Sequence, residues 1–397
     1  MLALPGSASR SRGWMAWINN ADVRAVLYQV LTAGFIVLLV WYLASNAAAN
    51  MAERGMSAGF DFLGVSAGFG ISFTLIPYEE GDTYLRVFLV GITNTLLVAV
   101  IGIVAATILG LIVGLARLSD NWLIRTLARS YVEVLRNTPL LLQIIAWYFG
   151  VFNLLPRPRQ SLEWFGVFAL NNRGFYMPAP IPEAGFNVVL IVLVLAIAGA
   201  AVLKRWAKRR QDRTGEPFPA IPVGLAVIVG LPTLTHLALG APLGWEVPEL
   251  SGFNFQGGMA VPPSFCALVV ALAVYTSCFI AEIVRSGIQS VSKGQHEAAS
   301  SLNLHSNLTM RLIILPQALR VIIPPLISQY LNVTKNSSLA IAVGFPDLVS
   351  VWMNTSLNQS GRAISIVAMT MAFYCIVSLT VSFILNIYNR RIMLKER

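Results

Sequence analysis

Eight stretches of this chain are long and apolar enough to cross the roughly 30 Å hydrocarbon core of a bilayer, which excludes most ways of folding 397 residues. They lie at about 25–47, 87–115, 138–155, 187–203, 219–240, 264–284, 312–334 and 364–388. In lipid each segment must satisfy its own backbone polar groups, so the spans are expected as helices and the fold class as all-α integral membrane. With 12% charged and 56% hydrophobic residues, little is left for a soluble domain. The run at 187–203 is the shortest, and Pro232 interrupts the next. The first run, Val26 to Ala44, follows Arg10, Arg12 and Arg24 and precedes Ala47 to Ala49, as a signal peptide would. It exceeds a typical signal core, so an uncleaved signal anchor is expected. The outer stretches Met51 to Arg86 and Pro156 to Pro182 are expected to hold no more than a short surface helix or turn.

Lysine and arginine set the orientation, because positive loops stay cytoplasmic. One side carries Arg10, Arg12 and Arg24, then Arg117, Arg125, Arg129 and Arg136, then the run from Lys204 to Arg213, then Arg285, Lys293 and Arg311, and finally Arg390, Arg391, Lys395 and Arg397. The other side carries only Arg54, Arg86, Arg157, Arg159, Arg173, Lys335 and Arg362. Eight spans with both termini cytoplasmic fit this pattern, as for a multi-pass protein of the bacterial inner membrane. The net charge of +10 is spread through short loops instead of being gathered with aromatics on a soluble face, which argues against nucleic acid. Cys266, Cys278 and Cys375 lie in apolar segments without zinc or redox spacing, and His296 and His305 suit surface positions better than a metal site, so none is expected.

A polar island from Gly294 to Pro316 interrupts the lipid-like sequence. Gly294 is expected to end the preceding helix. Gln295 to Leu302 then forms a short helix of small residues, with Glu297 in a first turn whose dipole favours an acid. Ala298, Ala299, Ser300 and Ser301 present little side chain, so the groove of another protein can reach the backbone. Asn303 then breaks the helix, being after glycine the residue most tolerant of a left-handed turn.

Other positions stand out within or beside the spans. Gly110 and Gly114 place two small residues on one helix face, where another helix can approach. Asn94 needs a partner in hydrocarbon, either within the fold or in a ligand. Glu133 and Arg136 can pair on one face before Thr138 and Pro139 open a new helix, with Gln143 one turn inside; Arg136 can equally anchor at the headgroups. Glu282 and Arg285 are expected to neutralise one another near the inner boundary. Pro324 and Pro325 are expected to break the seventh span midway, and Lys335 to snorkel towards the outer headgroups.

The spacing of Glu297, Ala298 and Ala299, then Asn303, then Ile313, Leu315 and Pro316, resembles the EAA loop of ABC importer permeases, with Asn303 where that family has glycine. The run Glu133 to Leu140 resembles a signature of the polar amino acid group, in which Arg136, Thr138 and Pro139 open the third core helix. Glu282 to Ile288 and Lys335 to Leu339 are similar to two further stretches of that group. The resemblance implies a five-helix type I permease core over 87–155 and 264–390, with an extra N-terminal helix and an inserted helix pair. It divides the chain into an anchor helix and periplasmic segment (1–86), a first core part (87–155), inserted loops and helix pair (156–263) and a second core part with the coupling loop (264–397). Long insertions of this kind resemble those of the larger permease of general L-amino-acid importers, which pairs with a similar but distinct second permease.

In such a permease, ATPase subunits dock on the loop, here Glu297, Ala298, Ala299, Leu302, Asn303 and Leu304, and a periplasmic binding protein delivers the amino acid. Asn94, Gln143, Tyr275, Glu282, Lys335, Asn336, Ser337 and Ser338 are the candidates for pathway or substrate contact, and Arg136, Thr138, Pro139, Arg285 and Pro316 for the core signature. The chain has no phosphate-binding loop of the Gly-x-x-x-x-Gly-Lys-Ser/Thr type, so ATP and Mg belong to the partner, and no enzyme activity or cofactor is expected here. The competing class is an ion-coupled secondary transporter or channel acting without an ATPase. That class calls for inverted repeats and intramembrane acids; the sequence shows no repeat, and Glu282 is the only acid within the expected spans. A membrane-anchored scaffold or sensor would need a sizeable soluble domain, and no loop is long enough for one.

Overall fold

The computed structural model describes residues 21–53 and 59–392. Arg10, Arg12, Arg54, Lys395 and Arg397, used above to orient the chain, lie outside them. Among the described residues, seven helices are long and apolar enough to cross a membrane. The first, α1 (Ala21–Glu53), exposes its apolar residues along its length. α2 (Tyr84–Ala116) is followed by the amphipathic α3 (Trp122–Asn137), whose N-terminus is capped by Asn121, its Oδ1 accepting from the Leu123 and Ile124 amides at 2.9 and 3.3 Å.

The span expected at 138–155 is shorter than its hydropathy suggested. α4 (Leu140–Gly150) has 11 residues and ends in a single 3₁₀ turn, Phe152–Leu154. At 1.5 Å per residue it is about 16 Å long, half the bilayer core. Pro139 fixes its start, and Val151 leaves helical geometry (ψ −66° with φ −122°).

The outer segments carry more structure than expected, and part of it is β. Strands β1 (Leu162–Trp164), β2 (Phe168–Asn171), β3 (Gly174–Met177) and, from the far end of the insertion, β8 (Met259–Val261) form an antiparallel sheet in the order β1-β2-β3-β8. Between them, β4 (Ala179–Pro182) pairs with β5 (Leu243–Glu246), closing the base of a helix pair, α5 (Phe186–Thr214) and α6 (Ala220–Ala238). β6 (Glu249–Ser251) and β7 (Asn254–Gln256) make a small hairpin. Strands of three or four residues punctuated by Pro178, Pro180 and Pro182 are too short to show alternation in sequence. Residues 59–83 likewise form more than a surface turn. Phe62 and Ala67 are buried against Val87, Trp352 and Ile366, and Phe73 joins the rings of Phe265 and Phe345 in a three-ring cluster.

The second half begins with α7 (Pro263–Gln289), which packs along α2 with its glycine face inward. A Cβ on Gly110 would sit 2.6 Å from Cβ of Ile280, and one on Gly114 3.0 Å from Cβ of Val284, so the two backbones meet as the spacing of small residues implied. The short α8 (Lys293–Ser301) leads through Ser306–Thr309 and a π-helical turn, Met310–Ile314, into α9 (Leu315–Asn336). The wide turn stands directly before Pro316, whose ring crowds the carbonyl four residues back. Pro324 and Pro325 do not break α9; the helix runs through both. A 3₁₀ segment (Ser337–Val343), a π-helical segment (Leu348–Ser356) and α10 (Ala363–Ile392) complete the chain.

Candidate functional site

The short helix α8, which carries the EAA-like stretch, is built from its ends inwards. α8 starts after Ser292 (φ −60°, ψ 143°), so Gly294 does not end the helix before it. α7 already stops at Gln289; Gly294 lies in the first turn of α8 and Glu297 in the second. At the other end Asn303 is left-handed, with φ 53°. Its amide donates to the Ser300 carbonyl at 2.9 Å, and the Leu304 amide to the Ala299 carbonyl at 3.1 Å. This is the paired closure that glycine usually provides. Asparagine therefore supplies the turn at the position ten before Ile313, where the EAA spacing has glycine, at a backbone cost on the order of 1 kcal/mol.

The same helix divides cleanly into a seat and an outward face. Ala299 is 1% exposed, and Gln317 of α9 donates to Gln295 at 3.3 Å. Glu297 and Ala298 are exposed, and Leu302 projects an apolar side chain that is 73% exposed. Ser300 and Ser301 turn their hydroxyls back to the His296 and Glu297 carbonyls at 2.9 and 3.0 Å. Leu304 is half-buried, and His296 and His305 are exposed. No group of His, Cys, Asp and Glu suited to a metal ion occurs among the described residues.

At the start of the path to α8, Glu282 pairs with Arg285 as the spacing implied, and also with Arg117 from the end of α2. Arg285 in turn donates to Gln289 in the last turn of α7. The side chains of Arg117 and Glu282 are only 15% and 30% exposed, so the carboxylate is shared between two cations in a partly dry setting. Arg117 was legible only as a loop charge; its partner is 165 positions away. Glu133 does not pair with Arg136. It accepts from Arg129 at 2.8 Å, one full turn back, while Arg136 lies over the Phe279 ring at 5.5 Å. Tyr131 shares a hydrogen bond of 2.9 Å with Ser277, fastening α3 to α7 beside that stack.

The remaining candidates are held within the fold. Gln143 is 5% exposed, and its amide donates to the Leu135 and Thr138 carbonyls at 2.8 and 3.0 Å, stitching the end of α3 to the start of α4. Thr138 donates to Val134 at 2.9 Å, and Pro139 follows in extended geometry (ψ 135°). Asn94, fully buried, donates to the Phe73 and Pro346 carbonyls at 2.9 and 2.8 Å. Next to it the Leu348 amide donates to Thr95 at 3.0 Å. Ser337 and Ser338 donate to the Thr334 and Lys335 carbonyls, Asn336 is half-buried at the end of α9, and Tyr275 is half-buried, its ring 5.0 Å from Phe279. Lys335 is exposed. Asn94, Gln143 and Glu282 thus belong to three separate clusters, and no hydrogen bond or ion pair joins one to another. A second intramembrane-facing acid escaped the sequence reading: Asp347 is fully buried and caps the segment after it, accepting from the Ser350 amide at 2.8 Å. Its signal was the Pro346-Asp347 step before an apolar run.

Residues 102–394 match the family described as binding-protein-dependent transport system inner membrane component. The chain belongs to that family. The match takes in the Arg117–Glu282–Arg285 network, α8 and α9. The chain is also 53% identical over 378 residues to YhdX of Escherichia coli (strain K12), covering 95% of this chain and 96% of that one. It is 50% identical over 387 residues to the general L-amino acid transport system permease protein AapQ of Rhizobium johnstonii, covering 97% and 96%. The glutamine transport system permease protein GlnP of Escherichia coli (strain K12) is 31% identical over 213 residues, which are 53% of this chain and 93% of GlnP.

As a permease of this family, the protein is the multi-pass inner membrane component of an importer and not an enzyme. Its working partners are an ATP-hydrolysing subunit and a substrate-binding protein. The outer β-structure and the α5–α6 pair lie within the part shared with AapQ along nearly its whole length.

Proposed function

We propose that this permease forms one half of a membrane pathway for polar L-amino acids, with a similar but distinct permease as the other half. The end of the bundle bearing α8 faces the cytoplasm together with both termini, as the distribution of lysine and arginine favours. ATPase subunits, holding ATP and Mg, dock on Glu297, Ala298 and Leu302, while Ala299, Asn303 and Leu304 keep that face in place.

The observation that carries this reading is the construction of α8. A helix closed at its C-terminal end by Asn303 and tied to α9 through Gln295 and Gln317 presents an exposed leucine and small residues, and short connections join it to α7 and α9. A push on such a surface moves the helices to which it is joined, because packed elements shift as rigid bodies instead of deforming. The Arg117–Glu282–Arg285 network extends the same body to α2. The similarity to AapQ along almost its whole length supports amino acids as substrate and a partner permease of related sequence.

The test is uptake of radiolabelled polar amino acids by proteoliposomes holding this permease, its partner permease and ATPase, with the loaded binding protein added. ATP-dependent uptake abolished by Glu297→Trp supports the proposal. ATP-dependent uptake of an unrelated solute class, with polar amino acids ignored, contradicts it.

A further inference from the structure

Few lysines or arginines lie on the sheet-bearing side of the bundle, yet three of them converge on one cavity. It measures about 870 Å³ and is lined by Arg157, Arg159, Arg173, Asn172 and Phe253 among others, with no Asp or Glu. None of the three arginines forms an ion pair among the described residues, and all three are exposed. Positive charge on the outer side runs against the bias that orients membrane proteins. Three like charges gathered without a counter-charge repel one another, and an arriving anion relieves that repulsion.

The β-structure fixes the cluster from three separate segments. The Asn172 amide donates to the Pro156 carbonyl at 3.0 Å, which brings the β2–β3 turn against the arginine-bearing loop. The Arg173 amide donates to Asn171 Oδ1 at 2.8 Å, and Asn171 donates to Ser161 at 3.0 Å, setting the backbone from which Arg173 projects. Arg159 lies 4.8 Å from the centre of the Phe253 ring and donates to the Gly252 carbonyl at 3.4 Å. Tyr176 donates to Asn254 at 2.9 Å, locking that third segment to β3. Oδ1 of Asn172 is buried at the cavity without a partner. β8, which pairs with β3, leads directly into α7, whose 27 residues span about 40 Å before the turn into α8, so the sheet that carries Arg173 stands at the opposite end of α7 from α8.

We infer that this cavity is a docking socket for acidic side chains on the substrate-loaded binding protein. The inference rests on the importer reading above and adds the site at which delivery is steered. An acidic loop of a folded protein suits it better than a free amino acid. The arginines are spread around an opening large enough for a drug-sized molecule, so a single small carboxylate would leave most of them unanswered. Exposed complementary charge of this kind acts chiefly on encounter rate and salt dependence.

The test uses the permease–ATPase complex in proteoliposomes, titrated with its amino-acid-loaded binding protein while ATP hydrolysis is followed. With Arg157→Glu and Arg173→Glu combined, the binding-protein concentration for half-maximal stimulation rises about tenfold or more, and its dependence on salt flattens. The matching Arg157→Lys and Arg173→Lys pair keeps most of the response, and basal hydrolysis, which reports an intact complex, is unchanged in both. An unchanged half-saturation in the Glu pair at full basal activity overturns the socket. So does a change confined to the response to free glutamate, which would assign the cavity to the amino acid itself. Failure of the unmodified complex to respond to any loaded binding protein would instead overturn the importer reading.

Discussion

The guanidinium of Arg117, at the end of α2, meets the carboxylate of Glu282 on α7, which Arg285 holds from its other side. This pairing ties α2, whose Gly110 and Gly114 pack on α7, to the helix that leads towards α8. Removing Arg117 as Arg117→Ala leaves Glu282 with one partner in a partly buried setting, a loss of about 1–3 kcal/mol. The expected outcome is ATP hydrolysis that continues while uptake per ATP falls several-fold, with Arg117→Lys intermediate because lysine keeps the charge but not the fork. Paired measurement of hydrolysis and uptake checks this; equal coupling in the alanine variant counts against α2 moving with α7.

Asn303 makes a separate prediction about the turn alone. Asn303→Gly keeps the left-handed backbone and relieves it of a Cβ, so uptake stays near the unmodified level and stability changes by about 1 kcal/mol or less. Asn303→Trp blocks the outward face and uncouples hydrolysis from uptake without lowering the amount inserted in the membrane. Uptake and membrane yield measured together separate the two. A large loss in the glycine variant would show that the Asn303 side chain has its own partner in the ATPase.

Gly110 is predicted to tolerate no side chain of any size. A Cβ there falls 2.6 Å from Cβ of Ile280, with the Ser277 carbonyl 3.1 Å away, so backbone must part from backbone. Gly110→Leu is expected to cost about 1–3 kcal/mol or more by overpacking and to lower the thermal midpoint in detergent. Fluorescence-detected size exclusion after heating checks it.

Gln143 is predicted to act on stability and not on substrate affinity. Gln143→Leu forfeits the bonds to the Leu135 and Thr138 carbonyls, leaving both acceptors in a half-buried turn at a cost of about 1 kcal/mol. The thermal midpoint falls, and the amino-acid concentration for half-maximal uptake stays the same. A clear shift in that concentration would return Gln143 to the pathway.

The sequence showed the spans because twenty apolar residues in a row have few other fates, and it showed the turn at Asn303 because the chemistry of that turn is local. Gly110 and Gly114 were legible for the same reason: their spacing fixes a face, whatever helix meets it. What escaped was non-local. Arg117 finds Glu282 through the crossing of two helices, and Arg136 leaves Glu133 for Phe279 because α7 offers a ring there. The β-strands escaped because three-residue strands rich in proline carry no usable period, although their pairing is what gathers Arg157, Arg159 and Arg173. Hydropathy overstated α4 because it counts apolar residues and not the backbone break at Val151.

The central claim is that α8 receives force from an ATPase and passes it to the membrane helices. It is tested most directly by counter-measuring uptake and ATP hydrolysis in proteoliposomes that hold the full complex, with and without Glu297→Trp. The account predicts ATP-driven uptake in the unmodified complex and hydrolysis without uptake, or loss of both, in the variant, with membrane insertion equal. Undiminished ATP-driven uptake in the variant, or uptake driven by an ion gradient with no ATPase present, would contradict it.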